Sequence, residues 1–127
     1  MIEVTLNEVL NSIGAFRSLS EQKIPAKAAF QIARLIRELD KENKTFDESR
    51  VKALQEYGER DENDEIKTTP EGNVILKPDK IEEYNNKIQE LLDTQIQINA
   101  EKISLSLLEN AEVSPIEILN LEPFIEE

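Results

Sequence analysis

The stretch from Ile24 to Arg60 most constrains what this chain can fold into. Its apolar residues fall at Ile32, Ile36, Leu39, Phe46, Ala53 and Tyr57, and Asn43 and Arg50 fill the remaining places. The spacings then alternate four and three, a heptad seam that lets one helix lie along another. Leu35 and Leu54 widen the stripe at either end. Pro25 suits the first turn of a helix, because its missing N–H would have no partner there. The segment turns polar from Asp40 to Lys44, and Asp47-Glu48-Ser49-Arg50 offers an alternative start for a second helix. No proline or glycine forces a break in this region, so the pattern predicts one long helix over 25–60.

The flanking segments supply its partners. Residues 1–4 read as a short extended piece. Thr5 is an N-cap with Glu8 three residues on, and the helix 6–19 places Leu6, Val9, Leu10, Ile13, Phe16 and Leu19 on one face. Gly14 within it is expected to permit close approach to the long helix. After Gly58 and the acidic 59–65, the β-prone runs Ile66-Lys67-Thr68-Thr69 and Asn73-Val74-Ile75-Leu76 flank Pro70-Glu71-Gly72, which predicts a β-hairpin over 64–77. Pro78 opens a helix over 78–94 with Ile81, Tyr84, Ile88, Leu91 and Leu92 on its stripe. In the tail, 95–127, alternation at Ile96 and Ile98, and again at Ile103, Leu105 and Leu107, predicts short strands or extended segments. Ser114, Pro115 and Glu117 mark the start of a last helix carrying Ile116, Ile118, Leu119 and Leu121. No internal repeat stands out.

Composition narrows the function. At 127 residues the chain suits a single domain, and 39% apolar residues favour a folded core. A net charge of -12, from 27 acidic and 15 basic residues, repels nucleic-acid phosphates and anionic lipid headgroups. The densest basic pair, Arg34 with Arg37, has Glu38 and Asp40 beside it. Cysteine and histidine are both absent, which removes disulfides, thiolate metal sites, the commonest zinc ligand and the commonest general base. An intracellular location is permitted. No apolar run reaches membrane-spanning length, and Met1-Ile2-Glu3-Val4 is unlike a signal peptide.

Catalytic and metal motifs are weak. Asp61, Asn63 and Glu65 alternate like the first ligands of a calcium loop, but Ile66 stands where the loop's glycine belongs and Gly72 where its closing glutamate belongs. Glu82-Glu83 and Glu126-Glu127 are chance pairs in so acidic a chain. Ser104, Ser106 and Ser114 lack a histidine base. The expectation is a protein without catalytic residues, metal or cofactor. Asn43 and Arg50 are the oddities of the seam. Either they set register against a partner chain, or the middle of the helix is simply exposed. The apolar tail either caps the helical pair or is given to another subunit.

Three stretches carry a resemblance: Lys23-Ile24-Pro25-Ala26-Lys27-Ala28-Ala29-Phe30, Leu54-Gln55-Glu56-Tyr57-Gly58-Glu59-Arg60-Asp61-Glu62-Asn63, and Glu101-Lys102-Ile103-Ser104-Leu105 through Ser114-Pro115-Ile116-Glu117-Ile118-Leu119-Asn120-Leu121-Glu122. In this order they resemble small acidic helical proteins of tailed bacteriophages and prophages, a family of unknown function, from about residue 5 to the end. The resemblance implies a phage origin and a role in assembly or in a protein–protein contact inside the host. It brings no catalytic residues.

The reading is therefore mainly α: an antiparallel long-helix pair with a β-hairpin tip, a short N-terminal helix and a small mixed C-terminal tail. The expected function is non-enzymatic, that of a structural or assembly accessory that self-associates in the host cytoplasm or on the virion. The partner is then a second copy or another phage protein, with Ile36, Leu39, Asn43, Phe46, Arg50, Ala53 and Tyr57 as the candidate interface. The alternative is a regulator that binds a host protein, with acidic side chains mimicking nucleic acid. Lys41, Lys44, Arg50 and Lys52 interrupt any such carboxylate stripe.

Overall fold

The computed structural model describes residues 1–127 and is mainly helical. Its contacts divide into two compact units, Met1–Asn43 with Asp93–Glu127, and Lys44–Leu92. The long helix α2 (Ala26–Tyr57) is unbroken and contributes its first part to one unit and its second to the other.

The first unit is held by side chains. Strand β1 (Ile2–Thr5) leads into α1 (Leu6–Ser20), where Thr5 and Glu8 form the expected capping box. Leu6, Val9, Phe16 and Leu19 of α1 are buried, as are Ala28, Ile32, Leu35 and Leu39 of α2, with the three–four spacing of a core-facing helix. Burying one such large side chain stabilises by roughly 1.5–3 kcal/mol. Ser12 is the one buried polar residue, and its hydroxyl donates to Val9 O at 2.8 Å, which satisfies it. An exposed ion pair, Arg17 to Asp40 at 3.0 Å, links α1 to α2. Gly14 does not serve the expected close approach, since a Cβ there would meet nothing within 4 Å.

Strand β1 pairs antiparallel with β2 (Gln95–Ile98), Ile2 opposite Ile98 and Val4 opposite Ile96. Ile2, Val4 and Ile98 point into the core, the alternation expected of a sheet with one wet face. The strand expected at 103–107 is shorter. Only β3 (Ile103–Ser104) is extended, parallel to β4 (Ile125–Glu126), and Leu105–Leu108 forms a 3-10 turn. The pairing covers two residues a side, so beyond Ser104 the backbone takes its hydrogen bonds locally. Helix α4 (Pro115–Leu121) starts at Ser114 with a second capping box to Glu117.

The second unit is closed by backbone hydrogen bonds. The hairpin expected at 64–77 is one arm of a larger object with an eight-residue repeat. Glu59 N–H donates to Ile75 O (2.7 Å), Ile75 N–H to Lys67 O (3.0 Å) and Lys67 N–H to Glu59 O (2.8 Å), a closed triangle. An outer ring repeats it: Asp61 to Glu65 O, Thr69 to Asn73 O and Lys77 to Tyr57 O. So do the three turns, where Asp64, Gly72 and Lys80 donate back to Asp61, Thr69 and Lys77. The bridges 58–76, 60–66 and 68–74 obey the same pseudo-threefold relation. The two residues of positive φ in the chain, Asp64 and Gly72, are eight apart at equivalent turn positions.

Gly58, Ile66 and Val74 are the equivalent residues that meet inside the triangle. A Cβ on Gly58 would lie 3.1 Å from both Ile66 Cδ1 and Val74 Cγ1, and 2.5 Å from Leu54 O. Glycine is thus required by space, with two branched side chains filling the centre. No internal repeat was expected, because this one resides in hydrogen bonds and, apart from Pro70 and Pro78, the residues at matching positions differ. A 3-10 turn at Pro78–Lys80 then starts α3 (Ile81–Leu92), which returns antiparallel along α2, with Lys87 4.0 Å from Glu56.

Candidate interaction surface

The predicted seam is shared between the two units. Ile36 is half-buried, Leu39 is buried and Asn43 is exposed in the first; Phe46, Arg50 and Tyr57 are half-buried and Ala53 is buried in the second. Leu39 and Ala53 are thus committed to the chain's own packing. Arg50 forms hydrogen bonds to Asp47 at 2.8 and 3.2 Å, and these, with Tyr84 nearby, raise its pKa. Asn43 and Arg50 therefore sit at the wet edge of the stripe. Of the four cations that interrupt the carboxylates along α2, Lys41 pairs with Glu38 and Arg50 with Asp47.

The acidic turn is a self-contained piece of backbone. Asp61 Oδ1 accepts the N–H groups of Asn63 (2.8 Å) and Glu65 (3.0 Å), so this carboxylate braces the first turn of the triangle. Nowhere do three or more Asp or Glu side chains gather closely enough to hold a metal ion. The serines are tied up locally: Ser104 and Ser106 share a hydrogen bond of 2.9 Å, and Ser114 caps α4. No helix is long and apolar enough to cross a membrane.

The largest run of exposed apolar side chains lies on and beside α4. Ile116 is 67% exposed, Ile118 52%, Leu119 63% and, in the turn before it, Leu105 51%. Helical geometry explains why. In this seven-residue helix only Leu121 is buried, and a helix can turn only one stripe inward. Leu121 and the following Phe124 are anchored, Phe124 edge-on to Phe16 with ring centroids 5.4 Å apart. Gln22 holds the approach to α4 with two bonds to the Glu112 backbone, both 2.7 Å. Glu117 closes the cap, accepting the Ser114 N–H at 3.1 Å, and the Ser114 backbone and hydroxyl together lower its pKa. The surface is therefore presented on a braced element.

A groove of about 340 Å³ runs beside α4, walled by Leu105, Leu108, Val113, Ile118, Leu121 and Ile125, with Glu122 and Glu127 at its edge. The sequence placed Ile116, Ile118 and Leu119 on the last helix, but spacing alone cannot say which side faces solvent. The available signal was four large apolar residues in a seven-residue helix, more than one buried stripe uses.

No protein-family model matches the chain, and neither a curated protein nor a solved structure shows significant similarity to it.

Proposed function

We propose that this is a non-enzymatic protein of phage or prophage origin that acts by protein–protein contact, as a structural or assembly accessory in the host cytoplasm or on the virion. The observation that carries the contact reading is the exposed apolar surface of α4, with Ile116, Ile118 and Leu119 each more than half exposed on a capped and anchored helix. Large apolar side chains left exposed together on one element mark sites of association. The phage origin rests on the sequence resemblance alone. Among the expected interface residues, the buried Leu39 and Ala53 are used within the chain, so α4 is the better contact.

A photo-crosslinking side chain placed at Ile116 or Leu119, in cells that express the protein, tests this. The expected result is a discrete adduct from either position and none from a control on the exposed Glu48. An adduct of twice the chain mass identifies a second copy, and any other mass a different protein. Absence of adducts from both α4 positions overturns the contact reading.

A further inference from the structure

The groove beside α4 has a chemistry of its own. Its walls are aliphatic, yet its edge is purely anionic: Glu122 and Glu127 line it, and Glu109 joins through the adjoining depression that shares Leu105 and Glu127. From Ile103 to Glu127 the chain carries glutamates at 109, 112, 117, 122, 126 and 127 and no lysine or arginine. None of Glu109, Glu122 and Glu127 takes part in an ion pair, whereas on α1 and α2 Arg17, Lys41 and Arg50 each pair with a carboxylate. The negative edge is left uncompensated by the chain itself.

This combination selects its occupant. A second copy matches the apolar walls, but a two-fold contact through this face sets carboxylates against carboxylates between two chains of net charge -12. Nucleic acid and anionic lipid are repelled for the same reason. The geometry points to a basic amphipathic segment of another protein. Its apolar side chains, at helical three–four spacing, seat between Leu105, Ile118 and Ile125, and flanking Lys or Arg side chains meet Glu109, Glu122 and Glu127. Apolar burial supplies affinity, and the charged edge supplies selectivity and a fast encounter. The inference rests on the contact reading above and adds the class of partner.

The test is fluorescence anisotropy with three labelled peptides: leucine and lysine at three–four spacing, the same with glutamine for leucine, and the same with glutamate for lysine. The leucine–lysine peptide is expected to bind about tenfold tighter than either control. Ile118→Ser and Leu105→Ser, both at exposed positions where the far-UV circular dichroism is expected to stay unchanged, are each expected to weaken it about tenfold. Glu122→Gln with Glu127→Gln is expected to weaken it about threefold and to flatten its dependence on salt. Equal binding of the glutamine–lysine peptide reduces the effect to bulk charge and overturns the proposal, as does unchanged binding by both serine variants. A dimer that the leucine–lysine peptide dissociates gives the groove to a second copy and also overturns it. If no peptide binds but α4 still crosslinks in cells, the partner class falls while the contact reading stands. The converse result removes the contact reading, and the partner class that rests on it falls too.

Discussion

In the unit formed by Met1–Asn43 and Asp93–Glu127, Phe16, Leu19, Ile32, Leu35, Leu39 and Phe124 are almost wholly buried; between Lys44 and Leu92 only Ala53 and Gly58 are buried. The second unit compensates with a ring of main-chain hydrogen bonds in which each strand segment pairs with both others. Two ways of holding a small structure are thus present in one chain. The first depends on apolar area and close side-chain packing. The second depends on backbone geometry and tolerates almost any side chain except at its centre and its turns. Because every segment of the triangle is paired on both sides, it leaves no sheet edge open to strand addition. The most exposed group of apolar side chains on one short element lies in the first unit, at α4.

If the first unit is held by its core, truncation there should have the largest effect. Phe16→Ala removes one partner of the edge-on pair with Phe124 and leaves a void, and about 3–5 kcal/mol of stability should be lost in urea unfolding. A loss below about 1 kcal/mol would mean that the site collapses around the void and that the core is not close-packed there.

The second unit should instead be broken by one methyl group. Gly58→Ala drives a Cβ against Leu54 O and into the space of Ile66 and Val74, and should cost about 1–3 kcal/mol. Hydrogen exchange should report it selectively, with the amides of Glu59, Lys67 and Ile75 losing protection together because they form one ring. Independent exchange of the three would break the comparison.

The turns sharpen it further. Gly72 has φ +87 with open space around it, so Gly72→Val should cost about 1–2 kcal/mol from backbone strain alone. Gly72→Asn should cost less, since Asp64 already occupies the equivalent turn at φ 61.

The smallest effect belongs to the cap of α4. Ser114→Ala should cost about 0.5–1 kcal/mol. Glu117 is held below the usual carboxylate range by the Ser114 backbone and hydroxyl, so its folded pKa lies below its unfolded one. Its contribution is then present above the unfolded pKa and lost as pH falls through the folded one. A carbon-detected titration of Glu117 should show the depressed value, and Glu117→Gln should remove this part of the acid sensitivity.

Much of the fold was legible because it follows from local chemistry. Thr5 with Glu8 and Ser114 with Glu117 are capping boxes that announce themselves in four residues, and both are present. The three–four spacing from Ile32 onward gave an unbroken helix, since nothing between Leu39 and Ser49 breaks it. The triangle was legible only as one hairpin. Its closure joins Tyr57 to Lys77 and Glu59 to Ile75, and such pairings leave no mark on residue type. The strand expected at 103–107 failed for a related reason. Alternation of Ile103, Leu105 and Leu107 with serines states a preference, but a strand needs a neighbour, and β4 pairs over two residues only.

The candidate site divides in the same way. The seam residues were identified by their period, yet the period is identical whether the stripe faces another part of the chain or another molecule. Leu39 and Ala53 proved to face inward. Conversely, Ile116, Ile118 and Leu119 read as ordinary helix-face residues until Phe124 against Phe16, and Gln22 against Glu112, had oriented α4. By itself the sequence determined the helices, their caps, the net charge and the absence of cysteine and histidine chemistry, because these depend on neighbours within a few residues. Tertiary structure decided which apolar stripe is buried and which is left exposed, because burial is a property of what packs on a face and not of the face itself.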